Sequence, residues 1–188
     1  MHEEYLNILD SYSPLSPESK ESLKACISVK QVPKGDLVLK NNEVCRHIYF
    51  VNKGLIRIFY YKNGKDITEW FADERQFFFS IGSYFSEQPS KLIIEAIEDC
   101  EIIQHSKEGQ DRLRKTNLEI SNLIIAFYSR SLVLSQIRME SMQFETAAKR
   151  YQNLMDRQPN ILQKVPLQHI ASFLGITQET LSRIRASL

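Results

Sequence analysis

Apolar positions change their spacing twice along the chain, and each change marks a boundary. Ser16, Pro17 and Glu18 form an N-cap, a first-turn proline and a dipole-matched acid, which predict a helix through ESKESLKACI near the N-terminus. From Gln31 the apolar runs become short: LVL at 37–39, HIYFV at 47–51 and GLIRIFYY at 54–61. Pro33-Lys34-Gly35, Asn41-Asn42, Lys53-Gly54 and Asn63-Gly64 separate them, and each run has strand length. Asn63-Gly64 is a strong hairpin signal. With DITEWF and KLIIEAIEDCEIIQHS, residues 31–105 read as a small antiparallel barrel or roll.

After Lys107 the period becomes helical. Ile120, Leu123, Phe127, Leu134 and Ile137 recur at three- and four-residue steps, with Arg130 interrupting, and predict a dimerisation seam. The alternative is that this stripe packs on the chain's own barrel, and both can hold, because Ile124, Ile125, Leu132 and Val133 widen the apolar surface beyond one face. A further helix is expected from Glu145 to Arg157, ending near Pro159-Asn160, and a helical pair from Leu167 to Leu188.

That last pair carries the chemistry. Ile170, Ala171 and Leu174 form the inner face of a short helix, Gly175 can make a tight turn with positive φ, Ile176 anchors it, and Thr177 caps the second helix. From Gln178, steps of 100° per residue gather Leu181, Ile184 and Leu188 within about 60° of one another as the buried side. Glu179, Ser182 and Arg183 fall opposite, with Gln178 and Thr180 near the helix start. Arginine pairs bidentately with guanine, a carboxylate accepts from cytosine N4, and hydroxyls add contacts, so Gln178, Glu179, Thr180, Ser182 and Arg183 form a candidate DNA-reading set.

Net charge of +1 argues for a DNA binder only after the chain is divided. Residues 144–188 hold 6 Lys+Arg against 3 Asp+Glu, whereas residues 1–143 hold 18 against 20, so the positive end is the one with the reading signature. At 188 residues and 43% apolar content the chain can bury a core in one ordinary domain and a small second one. The start MHEEYLNILD has neither a basic region nor an apolar run, and no stretch approaches the roughly 20 apolar residues of a bilayer span, which predicts a cytoplasmic protein without a membrane partner.

The segment LQHIASFLGITQETLSRIR resembles the helix-turn-helix of CRP/FNR transcriptional regulators, and Glu179, Ser182 and Arg183 match the E-x-x-S-R pattern with which the FNR branch reads a TTGA-type half-site. KGLIRIFYYKNGKDITEWF and SYFSEQPSKLIIEAIEDCEI are similar to that family's cyclic-nucleotide-binding-type β-roll, especially in Bacteroidetes-like members. The resemblance implies an α+β fold: an antiparallel β-roll of jelly-roll type with N-terminal helices over 1–107, a long dimerisation helix over 108–143, and a helix-turn-helix domain over 144–188. It further implies a non-enzymatic homodimer on near-palindromic double-stranded DNA, with a small-molecule effector in the roll and RNA polymerase as a further partner. A ligand-binding module without DNA activity is the competing reading.

Several departures narrow this. In relatives that bind cyclic AMP, a cassette of the form F-G-E-L ends in P-R-A or P-R-S; alignment on Pro89 puts Phe79, Ser80, Ile81 and Gly82 over the first part and Ser90 and Lys91 over the second. Ile81 and Ser90 replace the ribose-holding glutamate and the phosphate-holding arginine, which argues against cyclic AMP binding of the family's usual kind and leaves no identifiable cofactor. Phe79, Ser80, Ile81, Ser90 and Lys91 stay as the candidate effector pocket, with the run Phe77-Phe78-Phe79, Tyr84 and Phe85 as pocket wall or plain core. An iron-sulfur cluster wants four ligands, and Cys26, Cys45 and Cys100 are three and scattered. Histidines 2, 47, 105 and 169 form no H-x-H set, so no metal site is predicted, and His169 is expected on the solvent side of the first reading helix. Relatives usually carry a β-hairpin wing after the reading helix, so an end at Leu188 implies a wingless short form or a shortened chain.

Overall fold

The strand signals resolve into two facing sheets in a computed structural model that describes residues 2–187. The chain begins with α1 (His2–Asp10) and α2 (Pro17–Lys24), then β1 (Ile27–Val32), β2 (Leu37–Leu39), β3 (His47–Lys53), β4 (Ile56–Lys62), β5 (Lys65–Ala72) and β6 (Phe77–Phe78). The roll is completed by α3 (Ile81–Ser86), β7 (Ile93–Ala96) and β8 (Cys100–Ser106). Helices α4 (Lys107–Leu113), α5 (Leu118–Phe144), α6 (Ala147–Arg157), α7 (Ile161–Lys164), α8 (Leu167–Leu174) and α9 (Gln178–Ser187) make up the rest of the chain.

Both sheets are antiparallel, in the orders β1-β8-β3-β6 and β2-β7-β4-β5. Their inner faces share one core, with Val32, Ile48, Val51 and Ile102 from the first sheet against Leu39, Ile56, Ile58 and Ile94 from the second. This is the expected jelly-roll arrangement, in which alternating side chains interdigitate between layers. Asn63 (φ 52°) and Gly64 (φ 74°) turn β4 into β5, the two positive φ values that a type I′ hairpin requires. Ser16 caps α2 as predicted, its hydroxyl accepting from the Ser19 N–H at 3.2 Å.

The helical stretch expected without interruption over 108–143 is two helices. Asn117 starts a new one, its side-chain oxygen accepting from the Ile120 N–H at 3.1 Å, so the chain breaks its helix between α4 and α5. At 27 residues α5 is long and apolar enough, by length and composition, to cross a bilayer. Its first half instead packs on the protomer: Ile120, Leu123 and Ile124 join Tyr5, Leu9, Leu23, Phe50 and Ile103 in a core that ties α1, α2 and α5 to the outer face of the first sheet. A third core holds the C-terminal helices together through Tyr151, Leu154, Ile161, Ile170, Leu174 and Leu181, and reaches Leu55, Phe71 and Ile97 of the roll.

Candidate nucleic-acid interface

Gly175 at φ 68° ends α8 in the left-handed region, and its N–H reaches back to Ser172 O. The Ile176 N–H returns to Ala171 O, so the corner is closed in the six-to-one manner that glycine favours. Thr177 then caps α9: its hydroxyl accepts from the Thr180 N–H at 3.3 Å. Ile170, Ala171, Leu174 and Leu181 are buried where the two helices cross. Ile184 is half-buried beside them, whereas Leu188, expected on the same side, lies outside the described residues.

The opposite side of α9 is open. Gln178, Glu179, Ser182 and Arg183 are exposed and Thr180 is half-buried. The Arg183 guanidinium donates from Nη2 to Thr180 Oγ1 at 3.2 Å, a single bond that leaves most of its donors free for a base edge. The Thr177 hydroxyl and the backbone at the helix start, with Arg183 adding a smaller attraction, hold the Glu179 carboxyl below the usual carboxylate range. An acid, a hydroxyl and a guanidinium thus stand together on one solvent-facing surface.

The predicted effector residues do not form one pocket. Ser80 and Ser90 are buried and hydrogen-bonded to each other, Oγ to Oγ at 2.9 Å, and Ser90 Oγ also donates to Leu92 O and accepts from Leu92 N–H. That bond closes the two ends of the segment on one another. Lys91 is exposed, while Phe79 and Ile81 line a separate cleft of about 560 Å³ between the roll and the later helices. Phe78, Phe79 and Tyr84 are core, and Phe85 is exposed.

The stripe expected to form a dimer seam divides into a buried and an exposed part. Ile120, Leu123 and Phe127 are 0%, 3% and 6% exposed within their own protomer, so no partner can reach them. Leu134 and Ile137 continue that same face and line the cleft. Leu134 and Ile137 are nonetheless 41% and 43% exposed and Val133 is 56% exposed, and a further apolar set is formed by Leu118, Ile125, Leu132 and Met139, at 76%, 60%, 72% and 47% exposure. They recur every seven residues, with Asn122, Ser129 and Gln136 interleaved four residues on, and an ideal helix drifts only about 20° per such repeat.

Sequence reading missed Arg57. It lies in an otherwise apolar strand, is 1% exposed, and donates Nε to Thr68 Oγ1 (2.8 Å), Nη1 to Glu95 Oε1 (2.9 Å) and Nη2 to Asp66 Oδ2 (2.8 Å). Its own strand offered the signal, a cation between Ile56 and Ile58. Asp66 extends the network to α8, because His169 Nε2 stands 3.4 Å from Asp66 Oδ2. His169 therefore faces β5 and not solvent; burial and then the Arg57 charge hold its pKa below the usual histidine value. Ser172 completes the docking, accepting the Thr68 N–H at 2.9 Å and donating to Asp66 O at 3.3 Å. Among the described residues no group of His, Cys, Asp and Glu is placed to hold a metal, and the three cysteines are buried free thiols.

Residues 29–117 match the family model of the cyclic nucleotide-binding domain. Among solved structures, the chain is similar to FixK2 from Bradyrhizobium japonicum, at 18% identity over 86% of this chain and 84% of that one, with a TM-score of 0.71. It is also similar to a protein from Eubacterium rectale described as a crp/fnr-family regulator (19%, 93% and 85%, TM-score 0.69) and to DNR from Pseudomonas aeruginosa (20%, 98% and 86%, TM-score 0.58). No curated protein sequence matches significantly. Residues 29–117 thus match the cyclic nucleotide-binding domain model, within a chain whose fold is that of solved CRP/FNR-type proteins.

Proposed function

We propose that this chain is a homodimeric, sequence-specific DNA-binding transcriptional regulator of the cytoplasm, controlled by a small-molecule effector and acting with RNA polymerase. One observation carries the reading: behind the Gly175 corner, a capped helix turns Glu179, Ser182 and Arg183 outward together while Leu181 anchors its other side. This is the geometry with which a recognition helix enters the major groove, and its side chains match the family's E-x-x-S-R pattern.

Dimerisation is assigned to the outer face of α5. Leu118, Ile125, Leu132 and Met139 give a seven-residue apolar repeat, and two such helices side by side bury it as a coiled-coil seam. A two-fold pair of readers suits a near-palindrome with half-site centres ~34 Å apart. The effector acts by biasing the setting of the reading helices, a shift between DNA-competent and incompetent dimers.

Fluorescence anisotropy with a labelled inverted repeat of TTGA-type half-sites tests this. Salt-dependent binding that prefers the repeat to a scrambled duplex is the expected result. A protein that binds neither duplex at low salt is a ligand-binding module without DNA activity, and the regulator reading then fails.

A further inference from the structure

The cleft of about 560 Å³ lies where the second sheet, the later half of α5 and the helix-turn-helix unit meet, and it has two unlike walls. Toward the roll it is aromatic, with Trp70 and Phe79. Five arginines line the cleft against two glutamates, Glu69 and Glu145, and two of the five, Arg138 and Arg150, lie toward α8. Its size is that of a small-molecule site, commonly about 300–1,000 Å³.

Arg138 of α5 and Arg150 of α6 converge on the end of α8. Arg138 Nη2 donates to Phe173 O and Arg150 Nε to Leu174 O, while Arg150 Nη1 donates to Glu145 O. The Arg138 guanidinium also lies 3.9 Å from the centre of the Phe173 ring. A guanidinium carries five N–H donors, so these bonds leave several unused. Among the described residues neither arginine forms a salt bridge. The Glu145 carboxylate is occupied by Ser141 Oγ and by Asn153 Nδ2. Burial, then the nearby Arg150 charge, pulls Arg138 down from 12.5 to about 10, with the Glu69 carboxylate partly opposing them. Gln158 lines the same cleft at 7% exposure, and its Oε1 has no hydrogen-bond partner among the described residues. Beside the aromatic wall, two half-buried like charges lack an anion and the buried Gln158 Oε1 lacks a hydrogen-bond donor, so an anion that also carries a donor group completes the polar set.

We propose that this cleft binds a small organic anion, a carboxylate, sulfonate or phosphoester on an aromatic body, with the anionic group on Arg138 and Arg150, the ring against the aromatic wall and a polar substituent reaching Gln158. Bound there, the ligand links α5, which carries the proposed seam, to α8, the first helix of the reader. The site stands on the geometry of the cleft and not on DNA binding, so ligand and duplex titrations can fail independently.

Isothermal titration of the full chain with naphthalene-1-sulfonate, beside the neutral, size-matched naphthalene-1-sulfonamide, tests the site. The sulfonate is expected to bind once per protomer and about tenfold or more tighter than the sulfonamide, the low end for hydrogen bonds to a charged group. Arg138→Gln with Arg150→Gln abolishes that preference; Lys91→Gln preserves it. Because both arginines also hold the end of α8, Leu134→Trp serves as a second variant: it narrows the cleft, removes neither cation, and weakens the sulfonate about tenfold. Absence of sulfonate binding, equal affinity for the two probes, a preference retained in the double variant, or a Leu134→Trp protein that binds as the parent does would each overturn the proposal.

Discussion

His169 Nε2 lies 3.4 Å from Asp66 Oδ2, the same carboxylate oxygen that accepts from the buried Arg57 guanidinium at 2.8 Å. Helix α8 and the innermost cation of the roll therefore share one acid. Asp66→Ala strands part of the Arg57 charge and should cost about 3 kcal/mol or less, since breaking a buried ion pair costs roughly 3–5 and Asp66 keeps some contact with water. His169→Ala removes only the more exposed contact and should cost under about 1 kcal/mol. Urea unfolding of the two variants separates these costs.

Arg183→Ala should weaken binding to the preferred duplex by ~1–3 kcal/mol and relax discrimination at one base pair, as expected when one base-reading arginine is lost. A panel of single-base variants of the duplex, read by anisotropy, shows which position relaxes. A uniform loss across the panel would assign Arg183 to phosphate contact.

The two faces of α5 predict opposite behaviours. Leu132→Glu places a charge on the exposed seven-residue repeat, so sedimentation should show monomer with the fold retained. Phe127→Ala empties a core position and should cost about 3–5 kcal/mol of stability. A Leu132→Glu protein that sediments as the parent does would remove the seam from this face.

His105 is 5% exposed, and burial, with a smaller contribution from His47, pushes its pKa down from 6.5 to about 4. The folded protein thus binds this proton less readily than the unfolded chain. Its contribution to stability is complete above about pH 6.5 and is lost as pH falls from there toward 4, at up to about 1.4 kcal/mol per pH unit. His105→Asn should flatten that slope in denaturation measured at pH 7 and pH 5.

Gly175→Ala forces a side chain into the left-handed region at φ 68°, where the new Cβ would also meet Met142 Cε at 2.6 Å. Met142 is flexible and partly exposed, so the backbone term dominates, at about 1–2 kcal/mol. A lower melting temperature together with weaker duplex binding is the expected outcome.

The roll and the reader were legible from sequence because both are written in local chemistry. Asn63-Gly64 and Thr177 act through their own backbone and their near neighbours, and the outward set of α9 arises from 100° steps alone. The break before α5 was legible in principle, since Asn117 is a capping residue that directly precedes the apolar stripe.

Amphipathic spacing identifies which residues share a face and not what covers that face. Ile120, Leu123 and Phe127 share a stripe with Leu134 and Ile137, yet only the first three are buried in the protomer; Leu134 and Ile137 stay exposed, as does the repeat of Leu118, Ile125, Leu132 and Met139. The Ser80–Ser90 bond, the Arg57–Asp66–His169 link and the convergence of Arg138 with Arg150 join positions 9 to more than 100 residues apart. Local propensity carries no information across such separations; they are set by how the sheets, α5 and the C-terminal helices pack, because only packing decides which polar groups lose water together and must satisfy one another.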